Sequence, residues 1–152
     1  MTPATSAGSG ATAAAAGPVR AVYPGSFHPF TAGHMNVVHR ARGLFDEVVV
    51  LVAVNSDKRP GVDDEERAAA VRAALPVEWT SVTVVAWSGL TSDYCRSHDV
   101  AVIVRGVRNT TDLQAEYRLA AMNQSLSVPT VLLPAQPELT RLSSTAVRTL
   151  GR

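Results

Sequence analysis

Between residues 23 and 34 the chain reads Tyr-Pro-Gly-Ser-Phe-His-Pro-Phe-Thr-Ala-Gly-His. A segment of this composition can handle phosphate. Gly25 allows a tight exit from a strand, and Gly33 lets backbone approach a ligand where a helix begins. Such a helix start offers free amides and the positive end of a dipole. His34, in the first turn, can then donate to phosphate oxygens. A lone Gly-His would read better as a turn with a satisfied surface histidine; the whole constellation does not. Cationic side chains fall in two further stretches, Lys58-Arg59 and Arg105 to Arg108, and hydroxyls gather at Ser143-Ser144-Thr145. Taken alone, Lys58 and Arg59 read as solvated loop charges. One of the three hydroxyls reads as a helix cap, and Glu116 reads equally as a surface helical charge. Cys95 has the character of a small core residue.

The elements that must hold these groups follow from periodicity. Val19–Tyr23 reads as a strand ending on Pro24-Gly25, and a helix should run from about Gly33 to Phe45. Met35, Val38, Ala41, Leu44 and Phe45 would lie near its apolar face. The β-branched run Glu47–Val54 suits a parallel strand covered on both sides. Asp63, with Glu66 as its capping partner, opens the next helix. Val82–Trp87 is a third strand, Leu90–Ser97 a short helix and Val100–Val104 a fourth strand. Thr111, with Gln114 as reciprocal cap, opens a helix to about Asn123. Pro129–Leu133 is the fifth strand. This alternation predicts an α/β, Rossmann-like domain: a five-stranded, doubly wound parallel sheet with helices on both faces. Ligands bind such sheets beyond the carboxyl ends of the strands, which singles out the loops at 24–34, 55–60, 87–91, 105–111 and 134–145.

The 152 residues suffice for one domain with a real core. A net charge of +1 argues against a nucleic-acid partner. The single cysteine excludes an intramolecular disulfide and a multi-cysteine zinc site. Neither long apolar run, 48–54 or 100–104, could span a bilayer, so a cytoplasmic protein is expected. Residues 1–17 are almost wholly Ala, Gly, Ser, Thr and Pro. They predict a disordered tail rather than a signal peptide, since they lack a basic start and a Leu-rich stretch. The folded domain then occupies 18–152.

The motifs together carry a resemblance. Pro-Gly-Ser-Phe-x-Pro-x-Thr-x-Gly-His, from Pro24 to His34, resembles the first signature of the nucleotidyltransferase superfamily. Thr31 in its leading position is the variant of the phosphopantetheine adenylyltransferase family. Lys58-Arg59-Pro60 resembles that family's basic loop after the second strand, and Arg105-Gly106-Val107-Arg108 its loop after the fourth. Asp112 to Asn123 is similar to its following helix, and Leu142-Ser143-Ser144-Thr145 to its closing signature. The match covers roughly residues 19–150.

The resemblance implies attack by an acceptor phosphate on the α-phosphorus of ATP, with pyrophosphate leaving. No protein nucleophile is required, so positioning and charge stabilisation carry the reaction. His34 would stabilise the charge developing in the transition state, with Lys58 and Arg105 beside it. Ser26, Phe27, Gly33, His34, Gly106, Arg108, Glu116, Leu142, Ser143, Ser144 and Thr145 would bind ATP. Ser26, Lys58, Leu90, Thr91, Arg105 and Asn123 would bind the acceptor, 4′-phosphopantetheine. Mg²⁺ would arrive with ATP rather than on protein ligands. A homo-oligomer (hexameric in the family) and feedback by coenzyme A are also implied.

The sequence departs from the family's pattern in several places. His28 stands where an Asp is usual, changing the charge beside the expected phosphate site and adding a titratable group near neutrality. Gly89 replaces an acidic residue, Ala115 replaces a bulky aromatic, and the family's usual C-terminal helical segment after the last signature is expected to be absent. A different phosphorylated acceptor is the alternative these departures keep open. A non-catalytic nucleotide-binding relative is a more distant one.

Overall fold

The computed structural model describes residues 17–54 and 62–136. The predicted tail, the loop carrying Lys58 and Arg59, and the closing signature at Leu142 to Thr145 lie outside the described residues.

Five strands form one sheet: β1 (Arg20–Gly25), β2 (Glu47–Ala53), β3 (Val82–Trp87), β4 (Val102–Val107) and β5 (Thr130–Pro134). Their order is β3-β2-β1-β4-β5, with every neighbouring pair parallel. The order reverses between β1 and β4. Four helices occur among the described residues: α1 (Ala32–Leu44), α2 (Val62–Ala74), α3 (Thr91–Ser97) and α4 (Thr110–Ser125).

Side-chain alternation along the strands sorts the core into two layers. Ala21, Tyr23, Val48, Val50, Val52, Val102 and Val104 pack with Val37, Val38 and Ala41 of α1 and with Ala68 and Val71 of α2. Val22, Val49, Leu51 and Ile103 face the other way, against Tyr94 and Cys95 of α3. Both faces of β2 are therefore covered, as its unbroken apolar run requires. Cys95 is a buried core residue whose thiol is pushed up to about 11 by burial, so it stays protonated.

Four expectations about these elements need correction. Strand β4 begins and ends later than the apolar run suggests: the Val100 amide closes onto the Cys95 carbonyl at the exit of α3. Pairing with β5 then carries the strand through Arg105, Gly106 and Val107. Arg105 thus stands on the sheet itself, not in a loop after it. Helix α4 starts at Thr110, capped by Asn109 rather than Thr111. The Asn109 side-chain oxygen accepts from the Asp112 amide at 2.8 Å. Asparagine is among the strongest caps, and it places an acid in the first turn, where the dipole favours one. Val62 is already helical, so Asp63 lies inside α2 instead of capping it. Finally, Leu44 is 60% exposed, while Val37 joins Val38 and Ala41 on the buried side of α1.

Candidate active site

The reversal of strand order between β1 and β4 opens a gap beyond their carboxyl ends, where neighbouring crossovers leave to opposite faces. Two clefts meet there. The first is lined by β1, the loop after it, the start of α1, the end of β4 and the start of α4. The second lies between α3 and α4 over the same strand ends. Pro24, Gly25, Ser26 and Arg105 line both.

Local chemistry shapes the loop after β1. Phe27 adopts a φ of 50°, a left-handed conformation that costs a bulky residue about 1–3 kcal/mol. It is nonetheless buried, stacked edge-on against Tyr23 and Phe30. Gly25 makes that possible, because a Cβ there would come within 2.8 Å of the Phe27 ring. The ring in turn meets His34 edge-on at 5.1 Å, with Tyr23 and Phe30 at 6.4 and 5.6 Å. His34 therefore has an aromatic wall on three sides.

Thr31 and His34 close α1 with a reciprocal cap. The Thr31 hydroxyl accepts from the His34 amide at 3.2 Å, and the Thr31 amide donates to His34 Nδ1 at 2.9 Å. No acid occupies the first turn of α1. Burial first, then the cations Arg105 and Arg108, hold the His34 pKa down at about 4. The ring is neutral at neutral pH.

Across the gap, Arg105 forms a two-pronged ion pair with Glu116. Nε donates to one carboxylate oxygen at 2.7 Å and Nη2 to the other at 2.9 Å. Nη1 donates to the Pro24 carbonyl, tying β4 to β1. Burial works against the Arg105 charge, but the hydrogen bonds and charge of Glu116 prevail and raise its pKa. One N–H remains on each Nη to face a ligand. Gly106 lets α1 close in: a Cβ there would sit 3.0 Å from Val37. Arg108 is paired bidentately with Asp112 at 2.8 and 3.2 Å. Hydrogen bonding from Arg108 holds the Asp112 carboxyl below its usual range.

The expected site residues divide between the two clefts. Ser26, Phe27, Gly33, His34, Arg105, Gly106, Arg108 and Glu116 line the first. Ser26, Leu90, Thr91, Arg105 and Asn123 line the second. Lys58, Leu142, Ser143, Ser144 and Thr145 lie outside the described residues. Glu116 is no surface charge, being 8% exposed. Sequence reading missed Tyr23, Asp112 and Arg67. Arg67 reaches from α2 to the Ser26 carbonyl at 2.7 Å and the Ala53 carbonyl at 3.3 Å, steadied by Asp64 at 2.6 Å. The Asp64–Arg67 spacing is the one trace of that role in the sequence.

Comparison with known proteins bears directly on this arrangement. Residues 22–150 match the cytidylyltransferase-like family. The phosphopantetheine adenylyltransferase of Bifidobacterium animalis subsp. lactis (strain AD011) is 46% identical over 134 residues, covering 87% of this chain and 84% of that one. The chain belongs to the phosphopantetheine adenylyltransferase family. The member from Leptospira biflexa serovar Patoc (strain Patoc 1 / Ames) is 40% identical, covering 87% of this chain and 83% of its own. A crystal structure of the lipopolysaccharide core biosynthesis protein from Thermoplasma volcanium GSS1 shares the fold. Its TM-score is 0.55 at 22% identity, covering 79% of this chain and 98% of that one. Membership in the family makes this chain a nucleotidyltransferase.

The departures from the family pattern can now be placed. His28 is exposed and lines neither cleft. Ala115 lines the first cleft, so its small side chain leaves room there. Gly89 lies under Trp87: a Cβ would be 3.0 Å from the indole nitrogen, which donates to the Leu90 carbonyl at 3.0 Å. A side chain at 89 would require the indole to shift by a few tenths of an ångström.

Proposed function

We propose that this enzyme transfers the adenylyl group of ATP to 4′-phosphopantetheine, giving dephospho-coenzyme A and pyrophosphate. The relatives' names supply the reaction class. The observation that carries it here is the pair of clefts meeting at Ser26 and Arg105, which suits two phosphate-bearing substrates brought end to end. An acceptor phosphate oxygen attacks the α-phosphorus, and the bond from that phosphorus to the oxygen bridging to the β-phosphate breaks. The electron pair leaves with pyrophosphate.

In this reading ATP occupies the first cleft, with its phosphates toward the open N-terminus of α1 and the imidazole of His34. Arg108 and Gly106 contact the phosphates, and Glu116 borders the nucleoside. The acceptor's phosphate lies at Ser26 and Arg105, joined by Lys58, and its arm runs through the second cleft past Leu90, Thr91 and Asn123. Leu142, Ser143, Ser144 and Thr145 complete the ATP side. Catalysis is positional and electrostatic.

Magnesium enters as part of the ATP substrate. Among the described residues, the two acids lining the first cleft, Asp112 and Glu116, are both committed to arginines. The ATP phosphates and water therefore supply its ligands. A cytoplasmic homo-oligomer, hexameric as in the family and answering to coenzyme A, belongs to the same proposal. Leu113 and Tyr117, four residues apart on α4 and both exposed, are consistent with a contact between copies. Among the described residues, no helix is long and apolar enough to cross a membrane.

The test is pyrophosphate release from ATP-Mg²⁺ with 4′-phosphopantetheine, measured beside nicotinate mononucleotide and sugar-alcohol phosphates. Turnover with phosphopantetheine is expected. Turnover with another acceptor alone would replace this assignment.

A further inference from the structure

The reciprocal cap on α1 has a histidine where such a cap ordinarily has a glutamate or glutamine. That exchange fixes the ring's protonation. A backbone amide can only donate, so the 2.9 Å contact from the Thr31 N–H requires a lone pair on His34 Nδ1. The Thr31 hydroxyl accepts from the His34 amide and lies 3.2 Å from Nδ1, so its own hydrogen is also available to that nitrogen. A neutral ring that accepts at Nδ1 carries its proton on Nε2. We infer that Thr31 is a positioning residue: its cap holds His34 as the neutral Nε2–H tautomer, so that an imidazole N–H, not an imidazolium, is offered to the transferring phosphoryl group.

The surroundings agree with that assignment. Rings of Tyr23, Phe27 and Phe30 enclose the imidazole and disfavour charge on it. The cations facing it, Arg105 and Arg108, disfavour a further positive charge. The anions within reach, Glu116 and Asp112, are paired with those same arginines. A neutral imidazole is a competent electrophile where charge develops. It also avoids binding ground-state ATP by charge, so that its contact is free to strengthen in the transition state. A glutamate in this capping position would satisfy the helix equally well but would present an anion to the phosphates. The helix start thus uses one side chain both as a cap and as a donor.

This inference rests on the proposed adenylyl transfer only for its kinetic consequence. The tautomer is measured without substrate, by long-range ¹H–¹⁵N correlation on the full chain labelled at histidine. The His34 signals are identified by their loss in His34→Gln. At neutral pH Nε2 should be pyrrole-like and Nδ1 pyridine-like; a protonated Nδ1 or a cationic ring would overturn the assignment. Thr31→Val, checked for folding by its melting transition, keeps the backbone donor but removes the hydroxyl from both the His34 amide and Nδ1; with the first turn loosened, the Nε2–H form should no longer be exclusive. Its kcat should fall on the order of tenfold while KM for ATP changes less than about twofold. Thr31→Ser should restore both. A Thr31→Val protein that keeps a pure Nε2–H ring and full kcat would remove Thr31 from this role. If Thr31→Val does not fold, the wild-type and Thr31→Ser spectra decide: anything but the Nε2–H form in both refutes the assignment. An Nε2–H ring in a protein that turns over no acceptor would count against the proposed function and not against the positioning.

Discussion

Helices α1 and α4 both leave the sheet at the reversal point, and both begin with a side-chain cap, but their first turns are charged in opposite ways. At α4 the Asp112 carboxylate answers the helix dipole and binds Arg108, so the positive end is neutralised from within. At α1 the capping partner is a neutral histidine and the first turn holds no acid. One helix start carries a charge of the protein's own; the other carries none. In the proposed function, two strand–helix junctions of the same architecture thereby take different work, one positioning an arginine and the other receiving phosphate.

Mutations can break this difference. The largest effect should come from His34→Ala, which removes the donor at the open helix start. A loss of about 10²–10³ in kcat is expected, with a much smaller change in ATP affinity from isothermal titration; equal losses would contradict a transition-state role. Arg105→Met leaves the Glu116 carboxylate buried and unpaired, and should cost about 3 kcal/mol in denaturant unfolding. Arg105→Lys should not recover full activity, because an ammonium cannot make the two-pronged contact.

Acid should act through α1 more than α4. The unfolded chain titrates His34 near its ordinary pKa of about 6.5, whereas the folded ring titrates at about 4. The unfolded state therefore takes up the proton first as pH falls. Stability is complete above the upper value and is lost progressively down to the lower one. His34→Gln should flatten that part of the pH–stability curve, and an unchanged slope would refute the shift. The smallest effect belongs to Asp112→Asn, which opens α4 in the manner of α1. The Arg108 pair is partly exposed, so a loss of about 0.5 kcal/mol is expected by thermal melting. The turnover number should stay within about threefold of wild type, since α1, the phosphate-receiving helix of the proposed function, is untouched.

Much of this was legible in the sequence because strand and helix periods are local. The β-branched run at 47–53 and the alternation of elements give the parallel sheet directly. The glycine-rich loop ending at His34 marks the first cleft. What the sequence conceals is pairing across the chain. Arg105 belongs to a strand only because β5 extends beside it, and nothing in its own neighbourhood says so. Glu116 sits on a helix of low amphipathic contrast, between Leu113 and Leu119, which are both exposed, and its two-pronged pair with Arg105, eleven residues back, is not visible in its own neighbourhood. The cap of α4 was misplaced because Thr111 and Asn109 both suit the position. Geometry at Asp112, not residue preference, separates them.

Glu116 is also the only buried side chain of α4, a sixteen-residue helix that walls both clefts. Its full burial in the single chain therefore rests on one polar side chain, where α1 buries three apolar ones. The amides of α4 should then exchange with solvent through local opening well before those of α1, which is anchored by Val37, Val38 and Ala41. A ligand that engages Arg105 from either cleft would reset that exchange rate, making the helix a readout of site occupancy.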